Sequence, residues 1–151
     1  MIPFSETEVN IALDDLFYED SFKGVRDKLI IELFYSTGIR RIELVELKVS
    51  NIDFQNNTLK VLGKRNKERL VPLLKSVVQS LQRYLKVRSE LITIVDSESL
   101  FLTKNGVKVY ETLVYRVINE YFSKASTKVK KSPHILRHSF ATHLLNQGAD
   151  L

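Results

Sequence analysis

Cysteine is missing from this sequence altogether. Its absence excludes disulfides, thiolate metal sites and cysteine nucleophiles, and it fits a cytoplasmic protein. Long apolar runs are missing as well: none approaches the ~18 residues that a membrane-spanning helix needs. The opening Met1-Ile-Pro-Phe-Ser-Glu6 lacks a basic segment followed by an apolar one, so it does not read as a signal peptide. No internal repeat or low-complexity segment interrupts the chain, and no cluster of carboxylates stands ready to hold a metal ion. No metal, no cofactor, no small-molecule ligand and no membrane partner is expected.

What is there is ordinary for a globular chain. With 151 residues, 44% of them hydrophobic, the chain can bury a proper core, and 1–151 is expected to form one domain. Twenty-three Lys and Arg against 18 Asp and Glu give a net charge of +5. That balance favours a polyanionic partner but is weak evidence alone.

The periodicities predict a mainly α chain with a small three-stranded antiparallel sheet. Ser5 caps a first helix that is expected to run to about Tyr18. A second runs from near Asp20 to about Thr37, with Val25, Leu29, Ile30, Leu33 and Phe34 inward, and Gly38 ends it. Asn51–Phe54, Thr58–Leu62 and Arg69–Leu73 alternate as short strands, and Pro72 belongs at an edge or a strand end. The turn Gly63-Lys-Arg-Asn-Lys-Glu68 is densely basic. Lys75 to about Ile92 reads as an amphipathic helix with Arg83, Lys86 and Arg88 on its solvated side. A further helix is expected from Tyr110 to about Ser123, followed by a basic loop to Lys131. Ser132 then caps a last helix with Pro133 at its first position and Leu136, Phe140, Leu144 and Leu145 at helical spacing, and Gly148 stops it.

Several residues could carry chemistry. His134 and Arg137 are three apart on the last predicted helix and so share a face. The imidazole can move a proton near neutral pH, and the guanidinium can grip two phosphate oxygens. Arg40 and Glu43 share the same spacing, which reads either as a surface ion pair or as an arginine held by a carboxylate to face a phosphate. Arg41 rivals Arg40, and Lys67 rivals Lys64, on chemistry alone. His134 and His138 stand at metal-ligand spacing, but no glutamate lies between them.

Thr37-Gly-Ile-Arg-Arg-Ile-Glu-Leu44, Gly63-Lys-Arg-Asn-Lys-Glu-Arg-Leu-Val-Pro-Leu73 and His134-Ile-Leu-Arg-His-Ser-Phe-Ala-Thr-His-Leu-Leu145, in that order, resemble the tyrosine recombinases. The likeness is to the bacterial chromosome-dimer-resolving and phage-integrase-like branch, and it covers essentially the whole chain. It implies the recombinase catalytic-domain fold, with Arg40 and Arg137 as the catalytic arginines, Lys64 as the hairpin lysine, His134 as the first histidine and Glu43 as the residue supporting Arg40. Arg41, Arg65, Lys67, Lys130 and Lys131 become candidate DNA-backbone contacts. It further implies double-stranded DNA as partner, a full-length tetramer on two duplexes, and a bacterial cytoplasm.

The chemistry asks for such a set. Attack on a phosphodiester builds charge on phosphorus, which fixed cations stabilise. Two arginines can clamp the non-bridging oxygens, Lys64 can protonate the departing 5′-oxygen, and His134 can exchange a proton with the nucleophile. The family's nucleophile is a tyrosine that follows the His-x-x-Arg helix and forms a 3′-phosphotyrosyl link. Tyr18, Tyr35, Tyr84, Tyr110, Tyr115 and Tyr121 all precede that helix. The chain therefore reads as a truncated piece of a longer recombinase, lacking the DNA-clamping domain and the nucleophile segment and inactive alone. A non-catalytic DNA-binding module that kept the fold is the alternative, and a helical adaptor protein is a third reading.

Overall fold

The computed structural model describes residues 5–12, 14 and 18–130. The predicted last helix, with His134 and Arg137, and the basic residue Lys131 lie outside the described residues. The architecture is mainly helical with one three-stranded antiparallel sheet. The chain divides into two compact units, residues 18–115 and the terminal segments 1–17 with 116–151. No helix among the described residues is long and apolar enough to cross a membrane.

In the larger unit the central helix is α2, Phe22–Thr37. Ser21 opens it with an extended backbone, and its hydroxyl accepts the Gly24 N–H at 3.1 Å. Gly38 closes it in the left-handed conformation, φ 68°, which a glycine adopts without a Cβ penalty. Val25, Leu29, Ile30 and Leu33 are buried as expected, but so is Ile31, while Phe34 is half-buried. A helix buried on most of its circumference has no single apolar stripe for periodicity to find. It packs on α4, Lys75–Ser89, whose Val77, Leu81 and Tyr84 are buried, with the Tyr84 ring centroid 5.9 Å from that of Phe22.

The sheet has the order β1 (Ile52–Asp53), β2 (Thr58–Leu62), β3 (Glu68–Pro72). Pro72 closes an edge strand, where its missing N–H costs no ladder bond. The register pairs Leu59 with Val71 and Val61 with Arg69. Leu59 and Val61 are fully buried, so residues opposite them share the core-facing side. Arg69 therefore stands on the inner side of β3, and Leu70, 67% exposed, on the outer side. This reverses the hydropathy order of the strand, and the partner that compensates is described below.

Three expectations are corrected. The first helix, α1, ends at Ala12 rather than near Tyr18. Asp14, just past it, places negative charge where the helix end is itself negative. Helix α5 runs Glu111–Lys130, so the expected basic loop after Ser123 is helical. No glycine or proline lies between Val107 and Ser132, Ala125 is fully buried, and Lys124 bonds Glu120 one turn back at 3.0 Å.

Arg88 is the third correction, since it is buried rather than solvated. Its Nε donates to Leu100 O at 3.1 Å, and its Nη2 donates to Ser99 O at 2.7 Å and Ser97 O at 3.0 Å. The Tyr84 hydroxyl donates to Leu100 O at 2.9 Å and accepts the Leu102 N–H at 3.1 Å. Arg26 Nη1 donates to Leu102 O at 3.3 Å. These side chains satisfy the backbone of Leu100-Phe101-Leu102, a fully buried run that belongs to no strand. The same segment donates its Leu100 N–H to Leu47 O at 2.9 Å, directly after α3 (Arg41–Val45). The irregular core segment thus braces the exit of the helix that carries the site.

Candidate active site

The site grows from the end of α2. Gly38 turns the chain, Ile39 is anchored in the core at 1% exposure, and the next residue, Arg40, is exposed. Arg40 has extended backbone, φ −79° and ψ 152°, and is the N-cap of α3. Its side chain therefore does not run along the helix surface towards Glu43, as an i,i+3 pairing within a helix would require. Instead the Arg40 N–H donates to Glu43 Oε1 at 2.9 Å, so the carboxylate fixes the Arg40 backbone.

The guanidinium that Glu43 does hold is Arg69, on β3. Arg69 Nη1 donates to Glu43 Oε2 at 2.8 Å and Nη2 to Glu43 Oε1 at 3.0 Å. This is a two-point fork, the geometry that fixes orientation as well as distance. No role for Arg69 follows from the sequence alone. The available signal is an arginine at an inward register position of a short strand, which needs an acid in the core beside it.

Glu43 is nearly buried, at 7% exposure, while Arg69 is 44% exposed. The Arg69 guanidinium holds the Glu43 carboxyl below the usual carboxylate range; burial opposes it, and the Arg40 N–H and the nearby charges of Arg69 and Arg40 assist. Conversely, Glu43 raises Arg69. A depressed folded value makes the carboxylate stabilising at neutral pH. That contribution is present above the unfolded value of about 4.3 and is lost as pH falls through the folded value. In urea titrations taken downward from about pH 4.3, Glu43→Gln is expected to flatten the acid loss of the unfolding midpoint relative to wild type. Parallel acid limbs in the two proteins would contradict this.

The basic hairpin sits on the same carboxylate. A Cβ on Gly63 would stand 3.1 Å from Glu43 Oε2 and 3.5 Å from both Arg69 Nη1 and Lys67 O. The backbone of Gly63 is extended, φ −94° and ψ −159°, so the glycine answers a demand for space rather than for conformation. Its N–H donates to Lys67 O at 2.8 Å, and Lys67 N–H donates to Lys64 O at 3.2 Å. Between them Arg65 and Asn66 both adopt positive φ, 59° and 58°. Asparagine is at ease there, and arginine is not. Lys64, Arg65 and Lys67 are all exposed.

Arg41 faces elsewhere. Its guanidinium lies 4.9 Å from the Tyr115 ring centroid, and its Nε is 3.9 Å from Glu111 Oε1. Arg41, Glu111, Thr112 and Tyr115 line an open groove. Lys130 is the last residue of α5, and among the described residues no group of His, Cys, Asp or Glu is placed to hold a metal. The structure thus brings Arg40, Glu43, Arg69 and the foot of the Lys64 hairpin together.

The Phage integrase family model matches residues 5–151. A tyrosine recombinase XerC of Staphylococcus haemolyticus is 43% identical over 148 residues, 98% of this chain and 49% of that protein. Its counterpart in Chlorobaculum parvum is 42% identical over 135 residues, 86% of this chain and 40% of the relative. Among solved structures, XerA recombinase superposes with a TM-score of 0.70 at 28% identity, covering 98% of this chain and 52% of that one. XerH site-specific recombinase bound to a palindromic difH substrate gives 0.68 at 25% identity, covering 95% and 42%. The chain spans about half the length of the curated relatives it matches.

Proposed function

The chain belongs to the phage integrase family, the tyrosine recombinases, and from that premise we propose that it carries the phosphate-gripping part of a site-specific DNA recombinase. The observation that carries the proposal is the single carboxylate, Glu43, that fixes the Arg40 amide and touches the foot of the Lys64 hairpin. It leaves the Arg40 and Lys64 side chains exposed while their backbones are held.

In this reading Arg40 and Arg137 clamp the non-bridging oxygens of the scissile phosphate. A tyrosine outside these 151 residues attacks phosphorus with help from His134, its O–P bond forms, and the bond to the 5′-oxygen breaks. Lys64 gives that oxygen its proton. The 3′-phosphotyrosyl link keeps the bond energy for religation, and no metal is required. Arg65, Lys67, Lys130 and Lys131 add contacts to the DNA backbone, and Arg41 does so from the groove beside Tyr115. The full-length protein works in the bacterial cytoplasm as a tetramer on two duplexes.

Two assays of the 151-residue chain test this. Duplex DNA binding is expected to be weak and to fall linearly in log–log form with salt, as phosphate contacts demand. No covalent protein–DNA adduct is expected from this chain alone. A salt-independent affinity would remove the phosphate-gripping role, and an adduct would show that a tyrosine within these residues is the nucleophile.

A further inference from the structure

The Arg69–Glu43 fork takes no part in the roles assigned above, yet it is what joins the hairpin strand to the start of α3. We infer that Arg69 is a positioning residue for strand cleavage: its two-point hold on Glu43 sets where the hairpin presents the Lys64 ammonium relative to the phosphate gripped by Arg40. The inference rests on the proposed roles of Arg40 and Lys64.

Three observations support it. The fork ties β3 to the same carboxylate oxygen, Oε1, that holds the Arg40 amide, so one group is shared by both elements. Gly63 lets the hairpin's other strand close onto that pair without a Cβ in the way. Beyond Gly63 the tip is exposed throughout, and its own backbone bonds are internal, from Gly63 to Lys67 and from Lys67 to Lys64. The position of the tip is therefore set at its base, and the fork is at that base. Lysine at position 69 would supply a charge but not the fork.

The test separates placement of an acid from general stability. It uses the full-length recombinase containing these residues, its DNA site, and the same site with sulfur in place of the 5′-bridging oxygen. On the ordinary site the tyrosine O–P bond forms, the P–O5′ bond breaks, and O5′ takes the Lys64 proton. On the sulfur site the P–S bond breaks and the thiolate leaves without needing that proton. Arg69→Gln is expected to slow single-turnover cleavage of the ordinary site on the order of 10²-fold, and sulfur is expected to restore most of the loss. Lys64→Ala should show the same recovery, and Arg69→Lys should fall between wild type and Arg69→Gln while keeping the fold.

Equal losses on both substrates in Arg69→Gln and Arg69→Lys would mean that Arg69 acts through general structure, and the inference falls. Wild-type cleavage by Arg69→Gln would overturn it as well. If Arg69→Gln does not fold, Arg69→Lys decides by the same criterion. If Lys64→Ala gains nothing from sulfur, the reading of Lys64 as the acid fails, and this inference fails with it.

Discussion

Replacing Arg40 with glutamine in the full-length recombinase is expected to lower strand cleavage about 10²–10³-fold while changing DNA affinity little. The effect follows from where Arg40 sits. Gly38 and Ile39 deliver it as an extended, exposed residue, and Glu43 holds its amide at 2.9 Å. A fixed backbone with a free guanidinium is preorganised to meet charge that develops on a phosphate, which is worth more to the transition state than to the ground state. Affinity is spread over many phosphate contacts, so one lost contact removes only its share. Arg41→Gln is the internal comparison. Arg41 already lies over Tyr115 and near Glu111, so its loss is expected to cost less than tenfold in cleavage, well under the Arg40 effect. Single-turnover cleavage at saturating protein, with gel-shift affinities alongside, reads both. A dead Arg41 variant beside an active Arg40 variant would transfer the catalytic role to Arg41.

The second large effect concerns stability. Arg88→Leu is expected to destabilise the protein by roughly 3 kcal/mol, because buried carbonyls that lose their donor cost about 1–3 kcal/mol each. Arg88 serves Leu100, Ser99 and Ser97 together from a buried position. Leu100 O keeps the Tyr84 hydroxyl, whose own burial pushes its pKa up to about 12 and keeps it a donor across the neutral range. Ser99 O, which is buried, loses its Arg88 donor, whereas Ser97 O belongs to an exposed residue and can turn to water. Urea unfolding should show a lower midpoint at unchanged slope. A midpoint within experimental scatter of wild type would show that water replaces the guanidinium without cost.

The elements that were legible in the sequence are those with local punctuation. Gly38 ends α2, Pro72 ends an edge strand, and the alternation of Thr58–Leu62 gives β2 its bounds. Sequence patterning is silent where a charged side chain is used inside. Arg88 has the spacing of a solvated face, and only the tertiary run Leu100–Leu102 makes it interior. Arg69 stands inward and Leu70 outward, against hydropathy, because Glu43 waits across the strand pair. Arg40 and Glu43 were legible as a pair by spacing. Spacing could not show that the carboxylate takes the Arg40 amide and gives its fork to a residue 26 positions away. The helix through Lys130 was missed because small and basic residues read as a loop, whereas Ala125 is buried and the turn is supported by Lys124–Glu120.

The measurement that bears most directly on the central claim is a structure of the full-length recombinase on an uncleavable DNA site. The account predicts the Arg40 guanidinium and the Lys64 ammonium within about 3 Å of oxygens of one and the same scissile phosphate, with His134 and Arg137 at that phosphate too. Arg40 and Lys64 on different phosphates, or either side chain turned away from the DNA, would contradict it.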